Sequence, residues 1–407
     1  MSIKKRYIAC VIGLAISNQS YAAGYQVSEH SAAGLGRAYA GDAAFADTAA
    51  VLARNPAAMT LFKHAEVSGV ASIIDSSVDI DDYTNNEKAK DISPISFIPA
   101  AYYIQPLNDK VAVGLGLFSN YGVTTDYPKE MKSGSLAGKT SLATVNLNPN
   151  IAYRLNPHFS IGAGVSLVYG TAEFNRQLGS LSYSMPSSNL IYVKGTSWGW
   201  NIGSLYELDQ NNRFGLSYRS QVNLNFDGDF TDYSGSITGK ANNTVAANLS
   251  LPLPAIAEFS GFHQLNSKWA ISYSLQWTQY NKFKEIKATS SQCKSGVCFL
   301  KKENYKDTYR WAVGTTYTMN DEWSLRYGFA LDQNAGQATL SIPDTDRYWY
   351  SAGATYHFNP NISIDMGLSY IHSKKTSFKE ETATGDINSF TSTGSAYLAA
   401  MQINYRF

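Results

Sequence analysis

The segment Trp269–Trp277 reads WAISYSLQW, and its side chains alternate in character along the whole stretch. The odd-numbered positions carry bulky apolar or aromatic side chains, and the even-numbered positions carry small or polar ones. Successive side chains of a β-strand point to opposite faces, so this pattern predicts a strand with one apolar and one polar face. An apolar face towards lipid and a polar face towards a lumen is typical of an outer-membrane β-barrel.

The C-terminal segment YLAAMQINYRF, residues 397–407, alternates in the same way. Tyr405 and Phe407 are expected to face lipid, while Asn404 and Arg406 face the lumen. A last strand that ends on an aromatic residue is similar to the signal that directs barrels to the outer-membrane assembly machinery. Phe407 is therefore expected to be recognised by the barrel assembly machinery.

Short turns recur through the chain with one chemistry, in which Asn, Asp and Pro dominate. They lie at 107–109, 155–158, 208–212, 265–267, 319–321 and 358–361. Asn and Asp favour tight turns because their side chains bond to the nearby backbone, and Pro presets φ. Longer polar segments separate the turns, at 79–92, 126–140, 178–194, 228–247, 285–303, 334–345 and 374–393.

Six short turns alternating with seven long loops predict an all-β fold, a 14-stranded antiparallel transmembrane barrel with both termini on the short-turn side. Short turns in the periplasm and long loops outside are the rule for bacterial barrels. A soluble β-sandwich is the alternative, but it does not account for this asymmetry or for an aromatic content of 13% with 28 Tyr. Membrane-spanning helices are excluded after the N-terminus, where no run of about 18 apolar residues occurs.

Residues 1–22 have a basic start at Lys4, Lys5 and Arg6, an apolar run, and Ala22 at a small-residue site. This organisation predicts a secretory signal peptide that is cleaved after Ala22. Cys10 lies inside the apolar run and is expected to be discarded with it. The mature protein is therefore predicted to begin at Ala23 and to reside in the bacterial outer membrane.

The next stretch, Ala23 to Phe62, reads AGYQVSEHSAAGLGRAYAGDAAFADTAAVLARNPAAMTLF and lacks two-residue alternation. Because it precedes the first strand, it is predicted to fill the lumen of the barrel as a plug. The expected organisation is a plug over 23–64 and a barrel over 65–407. Its charged residues are expected to pair with lumen residues, since a buried unpaired charge is costly.

Cys293 and Cys298 are the two cysteines after the N-terminal segment, in the sequence CKSGVC. In an oxidising envelope they are expected to form a disulfide that closes this short loop. A metal site is the alternative, but no His lies nearby to complete it. No metal and no other cofactor is expected.

Several segments resemble the FadL family of long-chain fatty acid transporters over most of the chain. The N-terminal plug is similar to the family's hatch, with the hatch motif at Asn55-Pro56-Ala57. Further similarity lies in FSNYGVTTDY at 118–127, NIAYRLNPHFSIGAGVSLVYG at 150–170, YELDQNNRFGLSYRS at 206–220, LPLPAIAEFSG at 251–261 and SIPDTDRYWYSAGATY at 341–356. The resemblance implies a 14-stranded barrel with an internal hatch.

The resemblance also implies a ligand-binding pocket and a lateral opening in the barrel wall through which the ligand leaves. Family members have a kinked third strand that opens a gap in the wall, and the matching segment here is Ser119, Asn120, Tyr121 and Gly122. A Gly inside a strand is compatible with a bulge there, although an ordinary lumen-facing Gly is the simpler interpretation of that residue alone. The family's pocket holds the fatty acid carboxylate near basic residues, which match Arg176 and Lys301, while Tyr25 matches an aromatic residue that contacts the ligand. Exposure to solvent or surface lipid is the alternative for both cations, and Lys302 competes with Lys301.

The loops at 178–194 and 228–247 are shorter than expected for the family. In the family these loops form an outer groove that first captures substrate. The matching apolar residues here are Leu181, Tyr183, Met185, Leu190 and Ile191. Packing within the loop is an equally good interpretation of them.

No catalytic motif is present, and the six His residues are scattered singly. A net charge of +1 gives no argument for a nucleic-acid partner. The leading hypothesis is a monomeric passive transporter for long-chain fatty acids or similar hydrophobic compounds, which exit through the kinked strand into outer-membrane lipid. The alternatives are a channel for aromatic hydrocarbons, a surface adhesin or phage receptor, and an outer-membrane lipase.

Overall fold

A computed structural model describes residues 24–183, 185–382 and 384–407, with the backbone alone at 190–192. The predicted signal peptide, Cys10 and Ala23 lie outside the described residues. No helix in the described part of the chain is long and apolar enough to cross a membrane.

The described strands number 20, and all of them belong to one antiparallel sheet. They are β1 Glu66–Asp82, β2 Glu87–Ala89, β3 Ser96–Pro106, β4 Val111–Phe118, β5 Gly122–Asp126, β6 Lys139–Asn156, β7 Phe159–Gln177, β8 Pro186–Glu207, β9 Asn212–Arg219 and β10 Val222–Asp232, followed by β11 Asn243–Leu253, β12 Ile256–Gln264, β13 Trp269–Thr278, β14 Glu285–Thr289, β15 Val297–Lys302, β16 Thr308–Thr318, β17 Trp323–Asp332, β18 Arg347–Asn359, β19 Ile362–Glu381 and β20 Ile387–Arg406. The sheet closes on itself because β1 pairs with β20 from Glu66 opposite Arg406 to Asp82 opposite Phe390.

The predicted number of strands was wrong. Four short strands, β2, β5, β14 and β15, extend or line the wall, and the other 16 form the closed barrel, not 14. The sequence count assumed one strand on each side of the loop at 228–247. Four strands occur there, because the wall breaks at 220–221 between β9 and β10 and at 254–255 between β11 and β12. Pro254 has no backbone N–H to donate to a ladder, which favours the second break.

The six short turns have the same hydrogen-bonding geometry. In each, the side-chain oxygen of one Asn or Asp accepts hydrogen bonds from backbone N–H groups two or three residues further on. These residues are Asn108, Asn156, Asp209, Asn266, Asn320 and Asn359. This is the side-chain mimicry of a backbone turn that makes Asn and Asp good turn residues.

The predicted pleat is present in β13. Trp269, Ile271 and Leu275 are about two-fifths exposed on the outer face, while Ser272 and Gln276 are buried on the inner face. In the last strand, Tyr405 and Phe407 are exposed and Asn404 is buried, but Arg406 is half exposed and pairs with Glu66 at the short-turn end.

The long segments are more ordered than the sequence predicted. The segment 285–303 contains the hairpin of β14 and β15, and β19 and β20 extend through most of 374–393. Polar residues alternate with buried ones in these extensions, so the pairing continues beyond the apolar band. The segments 127–138 and 333–346 are connections without strands.

Residues 24–62 lie inside the barrel. They form the short helix α1 at Ala32–Gly36 and 3₁₀ helices at Ala49–Ala53 and Pro56–Leu61. Ser31 caps α1 by accepting a hydrogen bond from the Gly34 N–H. Nearly every residue from 24 to 60 is buried, although the stretch is rich in Ala and Gly. We refer to 24–30 as the leading segment and to 31–62 as the hatch body.

Candidate functional site

Glycines of the barrel wall form the seat of the hatch body. At each of them, a Cβ atom would come within about 3 Å of hatch atoms, so only Gly allows this approach. For example, a Cβ on Gly203 would lie 2.0 Å from the Asn55 Oδ1, and one on Gly328 would lie 2.1 Å from the Arg37 carbonyl carbon. The set is Gly114, Gly116, Gly162, Gly203, Gly215, Gly314, Gly328, Gly353 and Gly367, which come from eight different strands.

Ion pairs fix the hatch body to the same wall. Arg37 pairs with Asp42 at 3.0 Å and with Asp47 at 2.6 Å within the hatch. Asp47 also pairs with Arg326 of β17 at 3.4 Å. These charges are mostly buried, so each is stabilised by its partners rather than by water.

A second pair, Arg54 with Glu258 of β12 at 3.3 Å, links the other side of the hatch to the wall. Arg54 and Asp47 thus pair with lumen residues as expected, whereas Arg37 pairs within the hatch and Glu29 forms no ion pair with the described residues.

The Asn55-Pro56-Ala57 motif is the junction between the hatch body and the wall. The Asn55 Nδ2 donates to the carbonyl oxygens of Ala43 at 2.7 Å and of Ser204 at 2.9 Å, while its Oδ1 accepts from the Ala57 N–H at 3.0 Å. Pro56 opens the 3₁₀ helix, where a missing N–H costs nothing. The Asn55 side chain thus caps a helix, links two parts of the hatch body through Ala43, and attaches the hatch body to β8 through Ser204.

The third crossing of the wall is interrupted at Ser119–Tyr121, between β4 and β5. β3 pairs with β4 only at Ala101–Pro106, and its first half, Ser96–Ala100, pairs only with β1. β5 pairs with β6, and no strand of the described chain pairs with its other edge. The wall therefore has an open seam between β3 and β5.

The leading segment covers part of this seam. The Val27 N–H donates to the Asn120 carbonyl oxygen at 2.7 Å, and the Gly122 N–H donates to the Tyr25 carbonyl oxygen at 2.8 Å. These two bonds form an isolated antiparallel bridge between Gln26 and Tyr121. The interrupted crossing is thus completed by the N-terminus of the hatch.

Tyr25 occupies the centre of an aromatic group directly above the hatch body. Its ring lies 5.3 Å from Tyr280, 5.0 Å from Phe283 and 5.9 Å from Tyr121, centroid to centroid. Its hydroxyl donates to the Pro252 carbonyl oxygen at 2.6 Å. The same apolar cluster continues into Phe174, Phe226, Phe230, Leu224 and Leu249. Tyr25 therefore lies between an apolar interior and the interrupted crossing.

Arg176 lies at the outer rim of that cluster, at the end of β7 beyond its apolar band. The side chain is buried, and its guanidinium stands 5.3 Å from the Phe299 ring centroid. It donates to neutral oxygens, including the Ser341 Oγ at 2.7 Å and the Asn175 carbonyl oxygen at 2.7 Å. No carboxylate of the described residues forms an ion pair with it. Burial lowers the pKa of Arg176 to about 10, so it remains a cation at neutral pH.

Lys301 points inward beside Arg176, whereas Lys302 is exposed. The Lys301 Nζ forms an ion pair with the Glu380 carboxylate, and both side chains are largely buried. Glu303, also buried, accepts from the Thr339 Oγ1 at 3.1 Å. Burial raises the pKa of Glu303, Lys301 lowers it and the neighbouring Glu380 raises it, and the net result is a pKa of about 8.

At pH 7, therefore, Arg176, Lys301, Glu380 and a neutral Glu303 form a cluster with an excess of one positive charge. We call these four residues the rim cluster.

The remaining predicted residues lie near the long-loop end. Cys293 and Cys298 are joined by a disulfide in the β14–β15 hairpin, with their Cα atoms 5.5 Å apart. Leu181, Tyr183 and Met185 are exposed, Leu181 to 84%. The side chains of Leu190 and Ile191 lie outside the described residues.

Sequence reasoning missed three contributors. His30 was considered one of several scattered histidines, but its Nε2 lies 2.9 Å from the Ser119 carbonyl oxygen and 3.3 Å from the Asn120 Nδ2. Glu303 and Glu380 carried no motif, since they meet the cations only through folding. A charged residue two positions from Lys301 is the one local signal that could have indicated Glu303.

A family model described as outer membrane protein transport protein (OMPP1/FadL/TodX) matches residues 13–407. The chain belongs to this family. Among FadL-family relatives, the long-chain fatty acid transport protein of Escherichia coli O6:H1 is 39% identical over 99% of this chain and 98% of that protein. The 47 kDa outer membrane protein of Pasteurella multocida is 39% identical over 96% of each chain. This FadL-family chain is therefore an outer-membrane protein.

Solved FadL-family structures share its fold. A Pseudomonas aeruginosa FadL homologue superimposes with a TM-score of 0.84 at 23% identity, covering 95% of this chain and 100% of that one. The Pseudomonas putida toluene transporter TodX gives a TM-score of 0.75 at 17% identity, covering 95% and 99%. At these identities the likeness concerns the fold alone.

Proposed function

We propose that this protein transports long-chain fatty acids across the outer membrane by passive diffusion, without enzymatic activity. The observation that carries the proposal is the position of Tyr25, which is buried in the aromatic cluster and hydrogen-bonded through its backbone to the interrupted third crossing. One residue thus separates the apolar cluster from an open seam in the wall. The relatives named long-chain fatty acid transport protein support this choice of substrate.

The rim cluster supports a carboxylate ligand. A buried guanidinium without an ionic partner is costly, and a fatty acid carboxylate would supply that partner with two parallel hydrogen bonds. Lys301 is already neutralised by Glu380, so Arg176 is the cation we assign to the ligand and Lys301 contributes through the field of the cluster. The acyl chain would then lie among Phe174, Phe226 and Leu249.

The proposed route leads from apolar residues at the long-loop end, through the apolar cluster, to the seam in the wall. Exposed apolar side chains at Leu181, Tyr183 and Met185 would capture the substrate from outside, and the acyl chain would then move in among the side chains of the apolar cluster. Withdrawal of the leading segment would then open the seam at Ser119–Gly122. Exit between β3 and β5 into the bilayer would spare the acyl chain from crossing water.

The test is to lock the leading segment onto the third crossing. Gln26 and Tyr121 are direct antiparallel partners, so the double variant Gln26→Cys/Tyr121→Cys places two thiols at a separation suited to a disulfide. It is built in a Cys293→Ser/Cys298→Ser background so that no native disulfide responds to the reductant. We expect oleate uptake by cells to fall at least tenfold when the lock is oxidised and to recover on reduction.

Each single cysteine variant in the same background is the matched control and should be insensitive to oxidant. Full uptake through the oxidised double variant, with cross-linking verified by mass spectrometry, would show that the leading segment does not gate the route.

Arg176→Met separates fatty acids from uncharged substrates. If the rim cluster binds a carboxylate, the variant should bind oleate at least tenfold more weakly and methyl oleate as well as the parent does. Equal loss of both ligands would favour a channel for neutral hydrocarbons. Retained uptake after replacement of the 178–185 segment, together with lost phage or surface attachment, would indicate an additional receptor role.

A further inference from the structure

A groove crosses the lipid-facing surface of β17 to β20 and β1, on the outside of the barrel and away from the transport route. It has a volume of about 640 Å³. Its floor is made of small residues, including Gly328, Ala352 and Ala399, and its walls carry Leu368 and Ile73. Bulky aliphatic side chains flank a shallow apolar floor, which suits acyl chains lying against the wall.

A row of tyrosines marks the outer limit of the groove. Tyr350, Tyr370 and Tyr397 are direct cross-strand partners, and the ring centroids of Tyr370 and Tyr397 are 5.2 Å apart. Tyr327 lines the groove on the next strand, β17. Exposed tyrosines at one level of a barrel mark the interface between the acyl chains and the polar headgroups. The groove therefore lies within the outer leaflet.

Four residues beyond Tyr370, a β-bulge turns two consecutive lysines outward. Ser373 pairs with Gly394 and Thr376 with Ser392, so Lys374 and Lys375 together oppose one residue of β20. Both lysines are exposed, although neighbouring residues of a regular strand would point to opposite faces. His372 lies on the same outer face nearer the row, and Lys379 lies further out.

These lysines have no ionic partner among the described residues, which distinguishes them from other lysines at this end. Lys139 pairs with Glu173, and Lys88 pairs with Asp79 and Asp81. The residue before β18, Asp346, accepts the Lys374 N–H at its carbonyl oxygen, and its carboxylate accepts a hydrogen bond from the Asn334 N–H. Glu381 is exposed two residues beyond Lys379 on the same strand. Asp75 faces outward on β1 beside Tyr397, which makes the β1 end of the groove acidic and the β18–β19 end basic.

We propose that this surface binds a phosphorylated glycolipid of the outer leaflet, with its acyl chains in the groove and a phosphate at Lys374, Lys375 and Lys379. The geometry fits a large headgroup, because Lys374 and Lys375 lie about 13–16 Å along the strand beyond Tyr370. A disaccharide carrying phosphates and several acyl chains has this combination of a wide apolar part and charges set above it. Basic residues beside a membrane surface recognise anionic headgroups electrostatically.

The experiment uses the full-length protein in detergent micelles. Retention of three added lipids is measured by native mass spectrometry: bisphosphorylated lipid A, the same glycolipid after enzymatic dephosphorylation, and phosphatidylglycerol. For the parent we expect lipid A to be retained at least fivefold better than either of the others. The triple variant Lys374→Gln/Lys375→Gln/Lys379→Gln should lose that preference.

Two further variants make the result decisive. Lys110→Gln/Lys268→Gln removes two lysines at the short-turn end and should leave retention unchanged. Ala352→Phe fills the floor of the groove without changing charge, and it should also reduce lipid A retention.

Heat-modifiable migration on gels verifies that every variant is folded. Equal retention of lipid A by the parent and the triple variant would overturn the proposal, and so would equal retention of phosphatidylglycerol or of the dephosphorylated glycolipid by the parent.

Discussion

The hatch body and the leading segment are continuous in sequence but are held in different ways. The hatch body contacts glycines on eight strands and shares buried ion pairs with the wall. The leading segment is held by two backbone hydrogen bonds to the third crossing, by polar side-chain contacts and by the packing of one aromatic ring. Displacing the hatch body would break several buried ion pairs together, whereas displacing the leading segment would break hydrogen bonds and ring contacts but no ion pair of the described residues.

The two kinds of attachment differ in what it costs to break them. Each buried ion pair that loses a partner costs about 3–5 kcal/mol, while a hydrogen bond contributes about 0.5–1.5 kcal/mol net. We therefore expect the hatch body to stay with the wall, and the leading segment to be the element that moves in the proposed transport route.

Gly328→Leu should produce the largest effect, because its side chain would occupy the position of the Arg37 backbone. We expect the hatch body to be displaced and the barrel to conduct ions, which planar-bilayer recordings measure. Gly69→Ala is the matched control, since its Cβ would meet only the Ile403 side chain at 3.8 Å. A folded, non-conducting Gly328→Leu barrel would show that the hatch body can adjust its seat.

Asp47→Asn tests the ionic attachment alone. Asp47 pairs with Arg37 and Arg326, but each arginine keeps a second carboxylate, Asp42 or Asp365. We expect the free energy of unfolding in urea to fall by about 2–3 kcal/mol. The surface variant Asp321→Asn should change it by less than about 0.5 kcal/mol. If the two variants have equal stability, the ion pairs do not hold the hatch body.

The rim cluster should make ligand affinity depend on pH. Glu303 is protonated at pH 7 and ionises near pH 8, while Arg176 stays charged. A fatty acid carboxylate should therefore bind several-fold more weakly at pH 9 than at pH 7, as measured by titration calorimetry. Between the ordinary pKa of 4.5 and about 8 the folded state binds more protons at Glu303 than the unfolded state, so this group's contribution to stability falls as pH rises.

Glu303→Gln is neutral at every pH and should bind oleate equally well at pH 7 and pH 9. A parent whose affinity does not change over this range would exclude Glu303 from the field that the ligand experiences.

Tyr25→Phe should produce the smallest effect. The variant keeps the ring contacts with Tyr280 and Phe283 and loses the 2.6 Å hydrogen bond to the Pro252 carbonyl oxygen. A loss of about 1 kcal/mol should speed the release of a fluorescent fatty acid roughly fivefold. Tyr83→Phe, at an exposed site, serves as the control. Equal release rates for the two variants would mean that the Tyr25 hydroxyl does not help to hold the leading segment in place.

Features set by local chemistry were predictable from the sequence. The pleat of β13 follows from its alternation, and the Asn or Asp residues of the short turns bond to their own backbone, so both could be recognised without knowledge of distant contacts. The number of strands could not be predicted in this way, because it depends on contacts between distant parts of the chain. Whether a crossing continues through Pro254 or breaks there depends on its neighbouring strands, β9 and β14. The order of residues along the chain does not show which strands will be neighbours.

The candidate site shows the same division. Arg176, Lys301 and Tyr25 were reached only through a resemblance, because a single Arg, Lys or Tyr carries no pattern of its own. Glu380 is 79 residues from Lys301 in sequence. His30 is 89 residues from the Ser119 carbonyl oxygen that it contacts. Such pairs arise from barrel closure and hatch insertion, and only coordinates can show them.

The seam between β3 and β5 leaves backbone hydrogen-bonding groups that need partners. Backbone N–H and carbonyl groups that face hydrocarbon without a partner cost several kcal/mol each. The bonds from Tyr25 and Val27 pair two such groups of the interrupted crossing, the Gly122 N–H and the Asn120 carbonyl oxygen, so withdrawal of the leading segment would leave both without these partners. In the route proposed above, ordinary main-chain hydrogen bonds would therefore act as the default barrier, and opening would require another group to replace them.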